Sequence, residues 1–353
     1  MNAIRKTLLS LALLLAATLP GKGQQLRWEL NFDTQFDNRE YSGSRLDGSQ
    51  TLFGARLTPV VGMGWEGKHS VMIGVDLQAD FGQKSFFTDP NLLIYYQFDT
   101  PRYKAYAGVF PRHKLLGDYS RAFFSDSTLF YDNNLEGALF QYVGRRGGVE
   151  IACDWNGMKS GDSREKFRIF SYGRLNRGLL FVGYAFSMYH FAGSEEELGV
   201  VDNILINPFA GLDFAPRTSL EKLDISVGWL QSKQKDRRHE EKGRSPGGVQ
   251  VDLHLQKWKV GLHNTLYCGK DLMPYWNEYG GELYAGDRFY RTGDLYNRTE
   301  LYWHPVQRKD IDVKAGMIFH YDGRKLLNQQ LIRLSVRLDD GTFRRKAGKR
   351  KRP

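Results

Sequence analysis

The chain has 353 residues, 41% apolar and 14% aromatic, with 38 Gly, 11 Pro and two Cys. After residue 20 no window approaches the roughly 20 consecutive apolar residues of a bilayer-crossing helix, which excludes a helical membrane protein. So many aromatics exclude a disordered chain, and two cysteines exclude a disulfide framework or a Cys-rich zinc module.

The formal charge of +10 sits at the ends. Arg5, Lys6 and Lys22 near the start, and seven Lys or Arg between 344 and 352, have no acids among them. They account for all of the excess and leave the body neutral. Without a Lys/Arg stripe on the body, no nucleic acid partner is expected.

Residues 1–23 read as a signal peptide. Arg5 and Lys6 form the charged start, Leu8 to Leu19 the apolar core, and Gly21 and Gly23 the small residues before cleavage at Gln24. From Leu26 the pattern changes to alternation. Leu26, Trp28, Leu30, Phe32, Thr34 and Phe36 interleave with Arg27, Glu29, Asn31, Asp33, Gln35 and Asp37. A period of two puts one set on each face of a strand. Twelve residues fit a tilted membrane-crossing strand better than the 5–6 usual in a globular sheet.

Sixteen such segments are expected: about 26–37, 51–65, 69–81, 91–99, 102–111, 135–144, 148–156, 165–175, 178–191, 203–215, 221–231, 248–256, 258–268, 294–304, 310–321 and 328–338. Aromatics occupy both faces at 91–99, 165–175 and 178–191, so a count of 14 or 18 stays open. Short links such as Glu66–Lys68 alternate with long ones such as Arg112–Asn134 and Gly269–Gly293. This is the layout of an all-β, transmembrane antiparallel up-and-down barrel with short periplasmic turns and long external loops. Trp28, Trp65, Trp258 and Trp303 fall at one end of the strands, and Trp155 and Trp229 at the other, as two interfacial girdles would. The domain reading is a signal peptide at 1–23, a barrel at 24–338 and a basic periplasmic tail at 339–353.

With these features the chain resembles the porin-like outer-membrane proteins of Gram-negative bacteria. The Gln24, Gln25 start and the Tyr/Gly-rich strands look like the Bacteroidota versions. The most specific stretch is Tyr106, Ala107, Gly108, Val109, Phe110, Pro111 and Arg112, followed by Asp118, Tyr119, Ser120 and Arg121. In general porins of this kind the loop after the fifth strand narrows the lumen, and the 23-residue segment Arg112–Asn134 stands in that place. The resemblance implies the bacterial outer membrane, its lipid and lipopolysaccharide, and the barrel-assembly machinery as partners; a homo-oligomer is left open. The family usually ends on a terminal aromatic, whereas this chain runs past Leu338 into the basic tail. The tail reads as solvated, with an anionic polymer or lipid headgroups as the functional alternative.

Two constellations could carry chemistry. At the seam between first and last strands, Glu29 could face Arg337 and Asp33 could face Arg333 as lumenal ion pairs. In the long third loop, Arg112, His113, Lys114, Asp118, Arg121, Asp126, Asp132 and Glu136 line a constriction if the loop turns inward, with a mild anion preference near Arg112 and Lys114. The aromatic loop 269–293 is read as a self-packed cap, with a lumen plug as the alternative. There is no Gly-x-Ser-x-Gly and no His-Glu-x-x-His, and His190 near Ser187 belongs to no motif. No enzyme, cofactor or metal is expected. The function expected is passive diffusion of small hydrophilic solutes. The alternative is a plugged barrel with a lipid-modifying, adhesive or scaffolding role.

Overall fold

The computed structural model describes residues 23–83, 90–196 and 198–342, so the expected signal peptide and nearly all of the basic tail lie outside the described residues. Sixteen antiparallel strands close into one barrel. In chain order they are β1 (Gln24–Glu40), β2 (Gln50–Trp65), β3 (His69–Asp80), β4 (Asn91–Asp99), β5 (Tyr103–Pro111), β6 (Asn134–Gly144), β7 (Gly147–Gly157) and β8 (Lys166–Arg177). The second half is β9 (Leu180–Ala192), β10 (Val200–Asp213), β11 (Lys222–Asp236), β12 (Gly247–Lys257), β13 (Val260–Gly269), β14 (Leu295–Gln307), β15 (Ile311–Tyr321) and β16 (Leu326–Asp339). Each neighbour in sequence is a neighbour in space, and β1 pairs with β16 to close the ring.

The burial pattern inverts that of a water-soluble protein. Leu26, Ile94, Ile151 and Leu301 face outward and are about half exposed or more, whereas Gln141 and Glu150 on the inner face are at most 1% exposed. An apolar outside and a polar inside follow from the alternation once the sheet closes in lipid, where closure satisfies every backbone group. Trp65, Trp258 and Trp303 lie exposed at one end of the wall, and Trp155 and Trp229 at the other.

Local differences have local causes. Trp258 belongs to a two-residue turn and not to β13, because Trp258 and Lys259 take positive φ values of 51° and 70°. That geometry matches the twist of a tight hairpin. β11 continues to Asp236, paired with Val201 of β10, five residues beyond the expected end of that strand at 231. The last external link, Asp322–Lys325, is short and closed by an Asp322 N–H donated to the Lys325 carbonyl at 3.1 Å.

Candidate functional site

Between β5 and β6 the chain turns into the barrel. Arg112 staples both ends of the inward segment 112–133: its Nε donates to the Asp132 carbonyl at 2.6 Å, and its Nη2 to Asp132 Oδ2 at 2.7 Å and Asp154 Oδ2 at 3.1 Å. Lys114 reaches Glu29 of β1 at 2.7 Å. Glu150 of β7 accepts the backbone N–H groups of Leu116 and Gly117 at 2.7 and 2.9 Å. Wall side chains thus satisfy loop backbone that would otherwise be buried without partners.

The segment climbs back through helix α1 (Asp126–Tyr131), capped by the Ser125 hydroxyl accepting from Thr128 N–H at 3.1 Å. Asp126 is the hub. Arg121, Arg298 and Arg333 stand 2.9, 3.3 and 2.9 Å from its oxygens. Burial opposes its charge, but the three guanidiniums outweigh that and hold the carboxyl well below the usual range. Arg298 is shared with Glu300 at 3.0 Å, and Lys314 lies 2.5 Å from the same carboxylate. Arg56, paired with Asp76, donates to the Phe130 carbonyl at the far end of α1 at 2.8 Å.

The long link between β13 and β14 is laid on top. Ser125 N–H donates to the Ala285 carbonyl at 2.8 Å and Asp287 N–H to the Arg121 carbonyl at 2.7 Å. The link contains α2 (Trp276–Leu283), bent at Gly280 where φ is 52°. Tyr290 donates to Gln250 at 2.8 Å, and Gln234 donates to the Leu272 carbonyl at 2.7 Å. Below it Phe124 packs edge-on against Tyr119 and Phe170 at 5.3 and 5.4 Å. The expectation of a self-packed cap is therefore corrected: this link is part of a plug, and its core is shared with segment 112–133.

The plug lies across the lumen, with cavities on both sides of it. An external vestibule of about 430 Å³ lies between α1, α2 and the wall at Asp154 and Arg168. On the periplasmic side are chambers of about 310 and 440 Å³, the first lined by Asp33, Arg112 and Arg337, the second by Asp252, His254 and His263. These two chambers share Asp118, Tyr119 and Arg121, but neither shares a described lining residue with the vestibule. In the vestibule, burial and the nearby charge of Asp126 push the Asp287 carboxyl up to about 6, against a hydrogen bond from Phe289 N–H.

The expected site residues separate accordingly. Arg112, His113, Lys114, Asp118, Arg121, Asp126 and Asp132 lie on the inward segment, with Arg112 and Lys114 consumed in ion pairs. Glu136 does not join them: it belongs to β6, exposed on the outward face, because inward positions there are the odd ones from Leu135. The seam pairings also shift. Arg337 pairs with Asp33 at 2.7 Å and Arg333 with Asp126, while Glu29 is taken by Lys114. Asn31 lies opposite Arg337 and Asp33 opposite Ser335, a register the alternation alone does not specify. Ser187 faces inward opposite Phe170, whereas His190 is stacked outside on Phe167 at 4.8 Å. Sequence reasoning missed Arg56, Arg168, Asp287, Arg298 and Glu300.

No curated protein matches the chain in sequence. In structure it is similar to a loop-deletion mutant of the outer membrane protein OmpT of Vibrio cholerae, with a TM-score of 0.54 and 11% identity over 90% of this chain and all of that one. It is also similar to an anion-selective porin from Comamonas acidovorans, with a TM-score of 0.51 and 11% identity over 90% of this chain and 99% of that chain. The fold is thus that of a porin-like outer-membrane barrel. A family model described as lipid A 3'-O-deacylase-type matches residues 19–339. That match overturns the expectation that the chain is not an enzyme. The expectation rested on contiguous motifs, and a site assembled from separate strands and loops leaves none.

Proposed function

The chain belongs to the lipid A 3'-O-deacylase-type family, and from that premise we propose that it hydrolyses an ester-linked acyl chain of an outer-membrane glycolipid. The observation that carries this reading is the plug, which stands between the vestibule and the periplasmic chambers and speaks against passive diffusion as the main task. In this reading the headgroup enters the vestibule through the external mouth of the barrel. The His254–His263 cluster lies beyond the floor, so the vestibule is the better location for the chemistry.

Ester hydrolysis needs a group that takes a proton from water near neutral pH. Asp287, held near 6 and lining the vestibule, is the candidate base. The test is mass spectrometry of outer-membrane glycolipid incubated with the purified barrel. The expected result is loss of one ester-linked acyl chain, with Asp287→Asn at least a hundredfold slower. Unchanged lipid under conditions where the barrel is folded would overturn the proposal.

A further inference from the structure

Among the described residues that line the vestibule, Arg168 is the cation with no carboxylate partner, and Asp287 is the carboxylate with no cation. Asp126 is held by three arginines, Asp132 and Asp154 by Arg112, and Asp47 by Arg288 at 2.6 Å. Lys166 lies 3.9 Å from Glu282. Arg168, on the inner face of β8, stands directly across from Asp154 in register, yet Asp154 spends its oxygens on Arg112 and on the Glu136 N–H. The Arg168 Nε is buried with no hydrogen-bond partner among the described residues, and no described carboxylate is within ion-pair distance of its guanidinium. Its plane is fixed by aromatics instead, 4.5 Å over the Tyr189 ring and 5.7 Å from that of Phe124.

A buried guanidinium nitrogen without an acceptor is costly, and the rest of the Arg168 head is only partly covered. A rigid, planar fork turned into a cavity is also the arrangement that receives an oxyanion through two parallel hydrogen bonds. The rest of the cavity is polar: Ser127, Thr128 and Asp287 offer hydroxyl and carboxylate partners. Its 430 Å³ falls within the roughly 300–1,000 Å³ of small-molecule sites.

We propose that Arg168 forms an oxyanion-binding site at the base of the vestibule, taking the phosphate or carboxylate of a hydroxyl-rich sugar. This deepens the hydrolase reading, since it names the group that anchors the headgroup. It is read by binding alone, so either can fail without the other.

The experiment is calorimetric titration of the full barrel in neutral detergent with glucose 6-phosphate, inorganic phosphate and glucose. Saturable binding is expected for glucose 6-phosphate, weaker binding for phosphate and none for glucose. Arg168→Gln should lower affinity at least tenfold. Arg168→Lys, which keeps the charge and loses the fork, should fall between. Arg174→Gln should bind as the parent does, because Arg174 is stacked 3.8 Å over Phe181 in the periplasmic chamber. A repeat with the sugar phosphate on a lipid anchor separates the sources: tighter binding points to a membrane headgroup, equal binding to a soluble sugar. Absence of saturable binding to both forms would overturn the proposal, as would equal affinity in folded Arg168→Gln. If Arg168→Gln does not fold, Arg168→Lys decides: parent-like affinity for glucose 6-phosphate would overturn the site.

Discussion

The two halves of the plug are built on different physics. Segment 112–133 is pinned to the wall by buried charge: Arg112 to Asp154, Lys114 to Glu29, and Asp126 to Arg298 and Arg333. The upper link, 270–294, brings mostly aromatic rings and uncharged donors, and it rests on the lower segment through backbone hydrogen bonds. The lower half is fixed to the wall by ion pairs, whereas the upper half is held by neutral contacts to the wall at Gln234 and Gln250, by Arg288 on Asp47, and by its backbone bonds to the lower segment. A floor held by ion pairs is all-or-none, because removing one partner strands a buried charge. A lid held by packing and backbone contacts can loosen in part.

The most severe way to break this asymmetry is Asp126→Ala. It leaves Arg121, Arg298 and Arg333 facing one another, with Arg298 only 2% exposed, and should cost the floor about 3–5 kcal/mol. Both halves should come loose while the barrel wall persists. Steps should appear in planar-bilayer recordings, with unchanged heat-modifiable migration in gels.

Gly286→Val should act on the upper half alone. A side-chain carbon at Gly286 would run into the Ala122 backbone carbonyl, and relief costs about 1–3 kcal/mol. Proteolysis within 270–294 should rise at least tenfold while bilayers stay silent. If this variant conducts as strongly as Asp126→Ala, the lower half has no independent hold.

Acidity probes the same lid more gently. Since the Asp287 carboxyl binds its proton more tightly in the docked link than in a free chain, its contribution to stability is complete below about pH 4 and is lost as pH rises through about 6. Hydrogen-exchange protection factors in residues 270–294, corrected for the intrinsic pH dependence of exchange, should therefore fall severalfold from pH 5 to pH 8, and Asp287→Asn should flatten the change. A link equally protected at both values would count against a buried Asp287.

The smallest effect expected is that of Ser125→Ala, which removes the cap of α1 for about 1 kcal/mol. The backbone bond from residue 125 to Ala285 survives, so the upper link should stay seated. Differential scanning calorimetry should show only a shift of a few degrees.

The wall was legible in the sequence because a period of two is local, and all sixteen expected strands are present. The plug was not. Asp126 draws its partners from β14, β16 and its own segment, at separations no periodicity records. Arg168 was hidden for another reason: Phe167, Phe170 and Tyr172 place aromatics on both faces of β8, which blurs inward from outward. Glu136 reads as a loop charge beside Asp132, but the parity of β6, with Leu135, Leu139 and Gln141 inward, turns it outward. Alternation places Glu29, Asp33, Arg333 and Arg337 on one face, but their pairing depends on the register and on a loop that competes for the same charges.

Closure of the lumen at the floor is read by single-channel recording of residues 24–353 in a planar bilayer. A folded, inserted barrel that passes no steady stepwise current at neutral pH is the expected result. Stable, uniform conductance steps in the parent protein would contradict it and return the molecule to the class of open diffusion pores.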